Sequence, residues 1–540
     1  MKSNSSLLLF FLIFFLGCFL RFYKISVNPP GLYVDEAAIG YNAYSILKTG
    51  KDEYGQRFPL YFRSFGDYKM PLYIYSSILP VKLFGLNPFA VRFVSALVGS
   101  LTIIVIFYFV KLIFPEKGHS FALLNCFLFA LSPWSIFFSR GAFEANLGLF
   151  LLILSLYFQL RAMKSEKTLF FVFSTVLFAL STYSYHTEKY LAPILFVGLV
   201  GAYLMKKQKD KKACLKSLFF FAFFILLIFP HIFFFSSAAG QSRISSLSIA
   251  KRQFMILQPL SLYTAYFSPR NLFFDPDPDK QRSIPELSVF YPWMVIPFIW
   301  GLYLFFKKKI NTKKVLLFIL LISPIPASFA NDPFSTIRAY PLIVPLTVMI
   351  SLGIEQLLLL LKRNIFKAFF FLLILFFSLI SLYRNLFVLF PRERFDYWNY
   401  GFSQVIERIK TTTAPKILIN DPKGISYIEL LFFLKYPPLD YQIQTIKNRP
   451  QNYYRDGKWI NTFSWSNIQV RSLNWENDIY TYQMIITSPL GISKVQANEH
   501  YLDNTFDIIG PDKAVVFSGY LTNPMLKNSD DKVKLKEKAK

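Results

Sequence analysis

Cysteine and charged residues are scarce in this chain of 540 residues. The three cysteines, Cys18, Cys126 and Cys214, form no Cys-x-x-Cys pair. Neither a disulfide framework nor a thiolate zinc site is therefore supported. Charged residues make up 17% of the chain, whereas about 25% is usual in soluble globular proteins. This shortage of charge argues against a soluble protein.

Two kinds of ligand-binding motif are also missing. No Gly-rich phosphate loop of the Walker type is present, so a nucleotide-driven pump is not expected. The segment "DPDPDKQRSIPE" has acids at calcium-loop positions one, three, five and twelve, namely Asp275, Asp277, Asp279 and Glu286. Lys280 stands at position six, where the sharp turn of such a loop requires Gly. We therefore predict no metal site and no cofactor.

Long apolar runs dominate the sequence instead. Hydrophobic residues make up 54% of the chain, which contains 63 Phe. A membrane-spanning helix needs about 20 predominantly apolar residues. About eleven segments qualify, at 6–24, 89–113, 120–138, 146–162, 168–184, 190–205, 217–236, 290–306, 315–330, 338–361 and 367–390. The sequence therefore predicts a polytopic α-helical protein of the plasma membrane.

Basic residues are concentrated in every second connection between these runs. The five Lys-rich connectors read "KLIFPEKG", "RAMKSEK", "KKQKDKKACLK", "KKKINTKK" and "KRNIFK". The positive-inside rule places all five in the cytoplasm, so the N-terminus is predicted inside and the region after Phe390 outside. The net charge of +27 then needs no nucleic-acid partner. Arg21 and Lys24 lie at the outer end of the first helix, where they either reach the interface or contribute to a site.

The composition changes after Arg392 from apolar to polar. We predict a transmembrane domain at 1–390, with a large first outer loop at 25–88, and a small extracytoplasmic α/β domain at 391–540. The strand-like runs "KILIN", "YQMIIT" and "AVVFSG" and the helix-like run "ISYIELLFFLKY" indicate this second domain. The final "KNSDDKVKLKEKAK" is typical of a disordered tail.

Two adjacent carboxylates, Asp35 and Glu36, follow the first apolar run in "PPGLYVDE". A carboxylate held at a membrane surface can act as a general base on a hydroxyl or an amine. Alternatively, Asp35 caps a short helix in the membrane interface that has Tyr41, Tyr44 and Leu47 near one face. The local sequence does not decide between the two interpretations.

Further candidates lie in two outer connections. In "FGDYKMPLYIY", Lys69 can pair with a phosphate head group as a point charge, or it can anchor the neighbouring aromatic run at the interface. In "SRGAFEAN", Arg140 and Glu144 stand four residues apart where a helix begins. They form either a simple ion pair or a second carboxylate oriented by an arginine.

Two later outer connections add basic and aromatic groups. "SYHTEKY" contains His186, Glu188 and Lys189, and "STIRAY" contains Arg338 and Tyr340. Basic residues at several outer helix ends can converge on one anion. We therefore predict that Lys69, Arg140, Lys189, Arg338 and Tyr340 form a phosphate-binding group, and we interpret His186 as an interface anchor.

These motifs resemble those of the GT-C membrane glycosyltransferases, in particular the superfamily of protein O-mannosyltransferases and lipid A aminoarabinose transferases. The resemblance covers roughly residues 1–390. It depends on the acidic motif "PPGLYVDE" after helix one, the Lys-Pro element "YKMPLY", the acidic Glu144 opening helix four, and the late "RAY". The four elements share one order and one predicted side of the membrane.

The resemblance implies a GT-C fold and a transferase that moves one sugar from a polyprenyl-phosphate carrier to a lipid, glycan or protein acceptor. In the family, the acid matching Asp35 acts at the acceptor, and the lysine matching Lys69 contacts the lipid phosphate. This chain has Glu144 where many relatives have Asp, and Lys189 where Arg is common. The region 391–540 matches no acceptor-binding module, so the acceptor stays open.

Other functions remain as alternatives. An oligosaccharide ligase or polymerase would move a preassembled glycan, and a structural scaffold would use the outer domain alone. A transporter or lipid flippase would place ionisable residues deep in its helices. The apolar runs here are nearly free of charge and the acids cluster in connections, which favours the transferase.

The charge asymmetry makes the topology testable. We expect the N-terminus and the five Lys-rich connectors to be cytoplasmic and residues 391–540 to lie outside, because basic connectors resist translocation. Reporter fusions placed after each connector measure this. A cytoplasmic signal from a fusion after residue 400 would contradict both the topology and an outer active site.

Overall fold

The computed structural model describes residues 3–241, 257–307, 313–330, 332–446, 452–455 and 459–538. The connector "KKKINTKK", the outer loop near 237–289 and the start of "NDPFSTIRAY" lie partly outside the described residues.

Helices make up most of the first 390 residues. In chain order they are α1 Ser3–Phe22, α2 Val34–Thr49, α3 Pro71–Phe84, α4 Pro88–Ile113, α5 Gly118–Leu131, α6 Pro133–Arg140, α7 Glu144–Ser165, α8 Thr168–Thr182, α9 Glu188–Lys206, α10 Lys211–Phe233, α11 Leu257–Ala265, α12 Pro269–Phe273, α13 Val295–Lys307, α14 Lys313–Ile322, α15 Ile325–Ser328, α16 Ile343–Leu360, α17 Asn364–Leu382 and α18 Phe390–Glu393. Strands β1 Phe62–Ser64 and β2 Asp67–Lys69 form a two-stranded sheet, and a π-helix covers Tyr383–Leu389.

Strands and helices alternate in the remainder of the chain. The elements are α19 Phe402–Thr411, β3 Ile417–Asn420, α20 Tyr427–Leu434, α21 Pro438–Gln444, β4 Phe463–Trp465, β5 Ile468–Arg471, β6 Met484–Thr487, α22 Lys494–Glu499, β7 Leu502–Ile509, β8 Val515–Thr522 and α23 Pro524–Lys538. The three strand-like runs and the helix-like run predicted from the sequence are all found.

Several helices are suited to a bilayer. Among the described residues, seven helices are long and apolar enough to cross a membrane, or eight if the bent pair Pro115–Leu131 and Pro133–Arg140 is one span. Thr168–Thr182 and Pro292–Lys307 are shorter apolar helices. Each of the eleven predicted segments overlaps a helix, and the segments 120–138 and 315–330 each span two shorter helices. The chain is a multi-pass membrane protein, and the number eleven stays a prediction.

The chain divides into two compact units. The first, here called the helical unit, comprises Met1–Ile25, Lys69–Ser76 and Arg92–Phe390. The second, here called the loop–sheet unit, comprises Ser26–Tyr68, Ser77–Val91 and Pro391–Lys540. Much of the first loop therefore groups with the C-terminal region.

Two glycines lie at the crossing of helices α13 and α16 in the helical unit. A Cβ placed on Gly301 would lie 1.7 Å from the carbonyl oxygen of Met349, and one on Gly353 would lie 1.8 Å from that of Pro297. Both distances are far below van der Waals contact. The two backbones therefore touch directly, as small residues allow in membrane helix pairs.

A six-stranded sheet in the order β4-β5-β3-β6-β8-β7 organises the loop–sheet unit. The central strand β3 runs parallel to β5 and β6, with Ile417 opposite Ile468 and Met484, while the remaining pairs are antiparallel. Ile417, Leu418 and Ile419 are all buried. A continuous apolar run is what a strand covered on both faces requires.

Helix α2 packs within the loop–sheet unit against α20 and α21. Tyr41 is fully buried, donates a hydrogen bond of 3.1 Å to the Tyr436 carbonyl oxygen and meets the Tyr441 ring edge-on at 6.3 Å. The sequence interpretation of Tyr41, Tyr44 and Leu47 as a face in the membrane interface is wrong for Tyr41. Its hydroxyl has a protein partner that only the three-dimensional structure supplies.

The C-terminal tail also differs from its prediction as disordered. It is helical in α23, where Lys527 pairs with Asp531 at 2.9 Å and Lys534 pairs with Asp530 at 2.7 Å. The Tyr480 hydroxyl also donates to the Asp531 carboxylate at 2.6 Å. Pairs at i and i+4 stabilise a helix modestly, and the contact with Tyr480 connects this helix to the short 3-10 helix Asp478–Tyr480.

The direct backbone contact between α13 and α16 predicts that Gly→Ala has different effects on thermal stability at two positions. Gly353→Ala places a Cβ against the backbone of Pro297, so we expect it to lower the thermal unfolding temperature. Gly201→Ala in α9 meets no atom within 4 Å and should be neutral or stabilising, because Ala favours a helix over Gly by up to about 1 kcal/mol. Thermal unfolding of both variants in detergent measures the difference. Equal effects would contradict the direct backbone contact.

Candidate active site

The two acids at the start of α2 have different surroundings. The helix begins at Val34, so Asp35 is its second residue rather than the residue that precedes it. Glu36 is buried, and its Oε2 accepts a hydrogen bond of 3.2 Å from the Tyr33 amide. Asp35 is partly exposed. Glu36 therefore supplies a bond that closes the first turn.

The segment before α2 lies directly against the backbone of residues 398–400. A Cβ on Gly31 would fall 1.9 Å from the Trp398 carbonyl oxygen, so only glycine fits there. The Tyr33 and Trp398 rings also lie 6.1 Å apart. These contacts fix the approach to Asp35 within the loop–sheet unit.

Lys69 is the last residue of strand β2 and is 5% exposed. Met70 after it is fully buried, and Pro71 begins α3. Pro is well suited to a helix start because its missing N–H would have no partner there. Lys69 is therefore held at a strand–helix junction rather than in a mobile connection.

Arg140 is fully buried at the end of α6, in the helical unit. Its guanidinium donates to the carbonyl oxygens of Leu20 and Tyr23, at 2.8 Å each, and lies 4.9 Å from the centre of the Phe387 ring. These contacts stabilise the end of α1.

Glu144 is the first residue of α7. Two residues later, Asn146 is the centre of a polar network. Asn146 donates to the Ser95 carbonyl oxygen at 2.7 Å and accepts a hydrogen bond of 3.3 Å from the Tyr340 hydroxyl. The Tyr340 ring also packs against Trp134 at 5.7 Å. The structure thus brings the predicted residues Tyr340 and Glu144 to the same end of α7.

A second buried acid lies beside this end of α7. Glu188, the first residue of α9, is 1% exposed, and a Cβ on Gly148 would lie 2.8 Å from its carboxyl carbon. Gly148 is four residues after Glu144 and so shares its helix face. Both Glu188 oxygens lack a hydrogen-bond partner among the described residues. Lys189 donates at 2.7 Å to the Gly240 carbonyl oxygen.

Arg338 belongs to a separate ionic cluster in the helical unit. It forms an ion pair with Asp332, which also pairs with Arg282 at 3.2 Å. Although burial opposes it, the two guanidinium groups lower the pKa of Asp332. Arg282 also contacts Asp277, whose carboxylate accepts hydrogen bonds of 2.9 and 2.7 Å from the Thr336 amide and hydroxyl. The acids of the rejected calcium motif therefore hold the loop that carries Arg338.

Some residues of this region were not predicted from the sequence. They are Arg92 in the helical unit and Glu53 and Glu429 in the loop–sheet unit, all fully or almost fully buried. Arg21, which the sequence places at the outer end of the first helix, is also fully buried. Glu429 did leave a signal, since it is the one acid inside the apolar run "ISYIELLFFL". Glu53, in "KDEYG", resembles an ordinary solvated turn residue and left none.

Residues 69–234 match the family model described as dolichyl-phosphate-mannose-protein mannosyltransferase. Across 97% of this chain, the fold is similar to that of ArnT from Cupriavidus metallidurans in the apo state, with 10% identity, 99% of that chain covered and a TM-score of 0.53. The form bound to undecaprenyl phosphate matches with 11% identity, covering 96% of this chain and 98% of that one, with a TM-score of 0.52. No curated protein sequence matches the chain.

These findings confirm the resemblance to GT-C glycosyltransferases of the mannosyltransferase and ArnT type. The family model supports an enzyme of the glycosyltransferase class. The low identity to both ArnT structures means that they establish the fold alone.

Proposed function

Starting from a GT-C glycosyltransferase fold, we propose that this chain transfers a single sugar from a polyprenyl-phosphate carrier to an acceptor on the outer side of the membrane. The description of the matching family names a dolichyl-phosphate-linked sugar, and one ArnT structure holds undecaprenyl phosphate. A carrier of this class is consistent with a multi-pass membrane enzyme. The acceptor is a lipid, a glycan or a protein.

The observation that carries the proposal is the division of roles between Asp35 and Glu36. The Glu36 carboxylate is buried and bonded to the Tyr33 amide, whereas Asp35 is partly exposed at the same helix start. A general base must reach the proton that it removes. Asp35 is therefore the candidate base, and Glu36 holds the turn on which it stands.

The chemistry is an inverting displacement at the anomeric carbon. An Asp35 carboxylate oxygen takes the proton from the acceptor hydroxyl or amine, and the acceptor atom attacks the anomeric carbon from the face opposite the phosphate. The bond from that carbon to the phosphate oxygen breaks with its electron pair. Polyprenyl phosphate leaves as an anion that positive side chains stabilise.

We assign the phosphate contact to Lys69 and Arg338. Lys69 is held at a junction that resembles the lysine element of the family, and Arg338 shares Asp332 with Arg282. Arg282 also pairs with Asp277 and Asp279, so Arg338 contributes to the phosphate contact as an N–H donor and not through a surplus of positive charge in the cluster. Arg140 and Lys189 donate to main-chain carbonyl oxygens and serve instead as positioning groups. Glu144 and Tyr340 lie at the N-terminal end of α7.

Asp35→Asn tests the base directly. Asn keeps the shape and polarity of the side chain but cannot accept the proton, so we expect a folded protein whose sugar transfer falls about 10²–10⁴-fold, the usual contribution of general base catalysis. Transfer is measured as acceptor-linked sugar by mass spectrometry, using cell-surface glycans and polyprenyl-phosphate sugars from cells with and without the gene.

Glu36→Gln is the matched control, because it makes the same acid-to-amide change at the next residue. The Gln side-chain oxygen can still accept from the Tyr33 amide, so activity and thermal stability should stay near those of the parent protein. An active Asp35→Asn enzyme, or an inactive but folded Glu36→Gln enzyme, would contradict the assignment of the base.

Lys69→Ala and Arg338→Ala test the phosphate contact. A charge-assisted hydrogen bond contributes about 1.5–3 kcal/mol, which corresponds to a loss of roughly tenfold to a hundredfold in kcat/KM for the donor. Arg338→Ala leaves Asp332 paired with Arg282 at 3.2 Å, so the fold should persist.

Arg270→Ala is the control for removal of one positive charge. Arg270 pairs with Asp275, and its side chain is 79% exposed, so its removal should change donor use little. Normal donor turnover in both Lys69→Ala and Arg338→Ala would place the phosphate elsewhere.

A further inference from the structure

Helix α20 carries a buried acid that the proposed chemistry does not use. Glu429 is fully buried, and the Asn399 side-chain amide donates to its Oε1. Its Oε2 is also enclosed and has no hydrogen-bond partner among the residues that the structure describes. Burying a charged carboxylate that has one oxygen without a hydrogen bond costs free energy, so this site favours the neutral form of Glu429.

The face of α20 that carries Glu429 packs on the face of α2 that carries Glu36. A Cβ on Gly40 would lie 2.5 Å from the Phe432 ring, so the two helices touch where Gly40 stands. Gly40 is four residues after Glu36 and Phe432 is three residues after Glu429, and residues at these spacings share a helix face. Glu429 therefore faces the first turn of α2, which holds Asp35.

Asn399 joins the same contact from a third element. It adopts a left-handed backbone conformation, with φ of 50°, at the end of the short helix Asp396–Trp398. The residue before it, Trp398, lies against Gly31 and Tyr33. The bond from Asn399 to Glu429 thus connects α20 to the backbone that supports the approach to Asp35.

We propose that Glu429 is a positioning residue for Asp35, and that its change from the neutral to the charged form displaces the start of α2. This inference rests on the proposed role of Asp35 as the base. In the neutral form, Glu429 fills its enclosed site and accepts from Asn399. In the charged form, it places a second negative charge beside Asp35, and like charges in a poorly solvated site repel strongly.

The charged groups around Glu429 set the pH at which this change occurs. Burial raises the pKa of Glu429 to about 8, the Asn399 hydrogen bond lowers it, and the charges of Asp421 and Asp35 raise it further. From α2, Glu36 is bonded to the Tyr33 amide. Helix α19, which also packs on α20, exposes its own charged residues Glu407, Arg408 and Lys410 to solvent. Glu429 is therefore neutral below about pH 8 and charged above it.

Hydrogen–deuterium exchange of the intact protein in detergent tests the proposal without any substrate. In the parent protein, protection of the amides of residues 33–40 should fall as the pH rises through about 8, after correction for the intrinsic pH dependence of exchange. Glu429→Gln keeps the shape and cannot ionise, so this loss of protection should disappear. Loss of protection in Glu429→Gln equal to that of the parent would overturn the proposal.

Glu53→Gln is the matched control for general alkaline loosening. Burial also raises the pKa of Glu53 to about 8, but its carboxylate accepts from Asn42 and Tyr427 rather than from Asn399. Glu53→Gln should leave the alkaline transition at residues 33–40 in place. If Glu53→Gln alone removes the transition, the displacement arises from Glu53 and the proposal is contradicted.

Asn399→Gly provides a second, independent variant that is compatible with the left-handed backbone. It removes the hydrogen bond that lowers the pKa of Glu429, so the transition should move to higher pH. An unchanged midpoint would overturn the proposal even if Glu429→Gln does not fold.

Sugar transfer then separates this inference from the proposed function. A panel of undecaprenyl-phosphate-linked hexoses and pentoses first identifies a donor that the parent enzyme uses. With that donor, the activity of the parent enzyme should fall above about pH 8, while Glu429→Gln should stay active there. An active Asp35→Asn enzyme contradicts the proposed function. An inactive Asp35→Asn enzyme together with a Glu429→Gln pH profile identical to that of the parent contradicts only the positioning role.

Discussion

The end of helix α1 depends on three buried guanidinium groups. The last carbonyl groups of a helix have no partner within the helix, and water is not available to them inside a membrane protein. Arg140 donates to the Leu20 carbonyl oxygen, in the last turn of the helix, at 2.8 Å. Arg21 donates to that of Gly17, one turn earlier, at 2.9 Å, and Arg92 to that of Ile25, three residues beyond the helix, at 2.9 Å. The chain therefore leaves the first helix from a fixed point, and the motif with Asp35 begins only a few residues later.

The same guanidinium groups connect α1 to its neighbours. Arg21 also donates to the Ser135 hydroxyl at 2.5 Å and to the Ala130 carbonyl oxygen at 3.3 Å. Arg21 is therefore not an interface anchor. A single arginine that satisfies several backbone and hydroxyl groups explains how a charge is tolerated in an almost wholly apolar bundle, since a buried charge requires a full set of partners.

The loop–sheet unit depends on a corresponding set of polar contacts along the first loop. The Gln442 amide donates to the Asp52 carbonyl oxygen at 2.8 Å and to the Ser45 hydroxyl at 3.1 Å. The Tyr453 hydroxyl donates to Asp52 at 2.5 Å, and the Tyr427 hydroxyl donates to Glu53 at 2.8 Å. The candidate base therefore belongs to a unit that is held together by contacts between the first loop and the C-terminal region.

The sequence predicted the positions of helices and strands better than the contacts between distant segments of the chain. Apolar runs located the helices, and β-branched runs such as Ile417–Ile419 located the strands, because both signals are local. Nothing local showed that Tyr41 would bond to the Tyr436 carbonyl oxygen or that Asp52 would meet Tyr453, since about 400 residues separate each pair along the chain. The acidic motif at Asp35 and Glu36 was visible, but which of the two is bonded into the turn was not.

The buried charges also bear on the transporter alternative. A transporter needs ionisable groups that change partners or protonation as its cargo moves, and such groups mark the pathway inside the membrane. Arg21 and Arg140 donate to carbonyl oxygens at helix ends, and Lys189 donates to that of Gly240. Main-chain carbonyl groups neither titrate nor leave, so these cations act as static supports. Fixed supports of this kind suit a transferase, whose reacting groups must keep their positions while the substrates come and go.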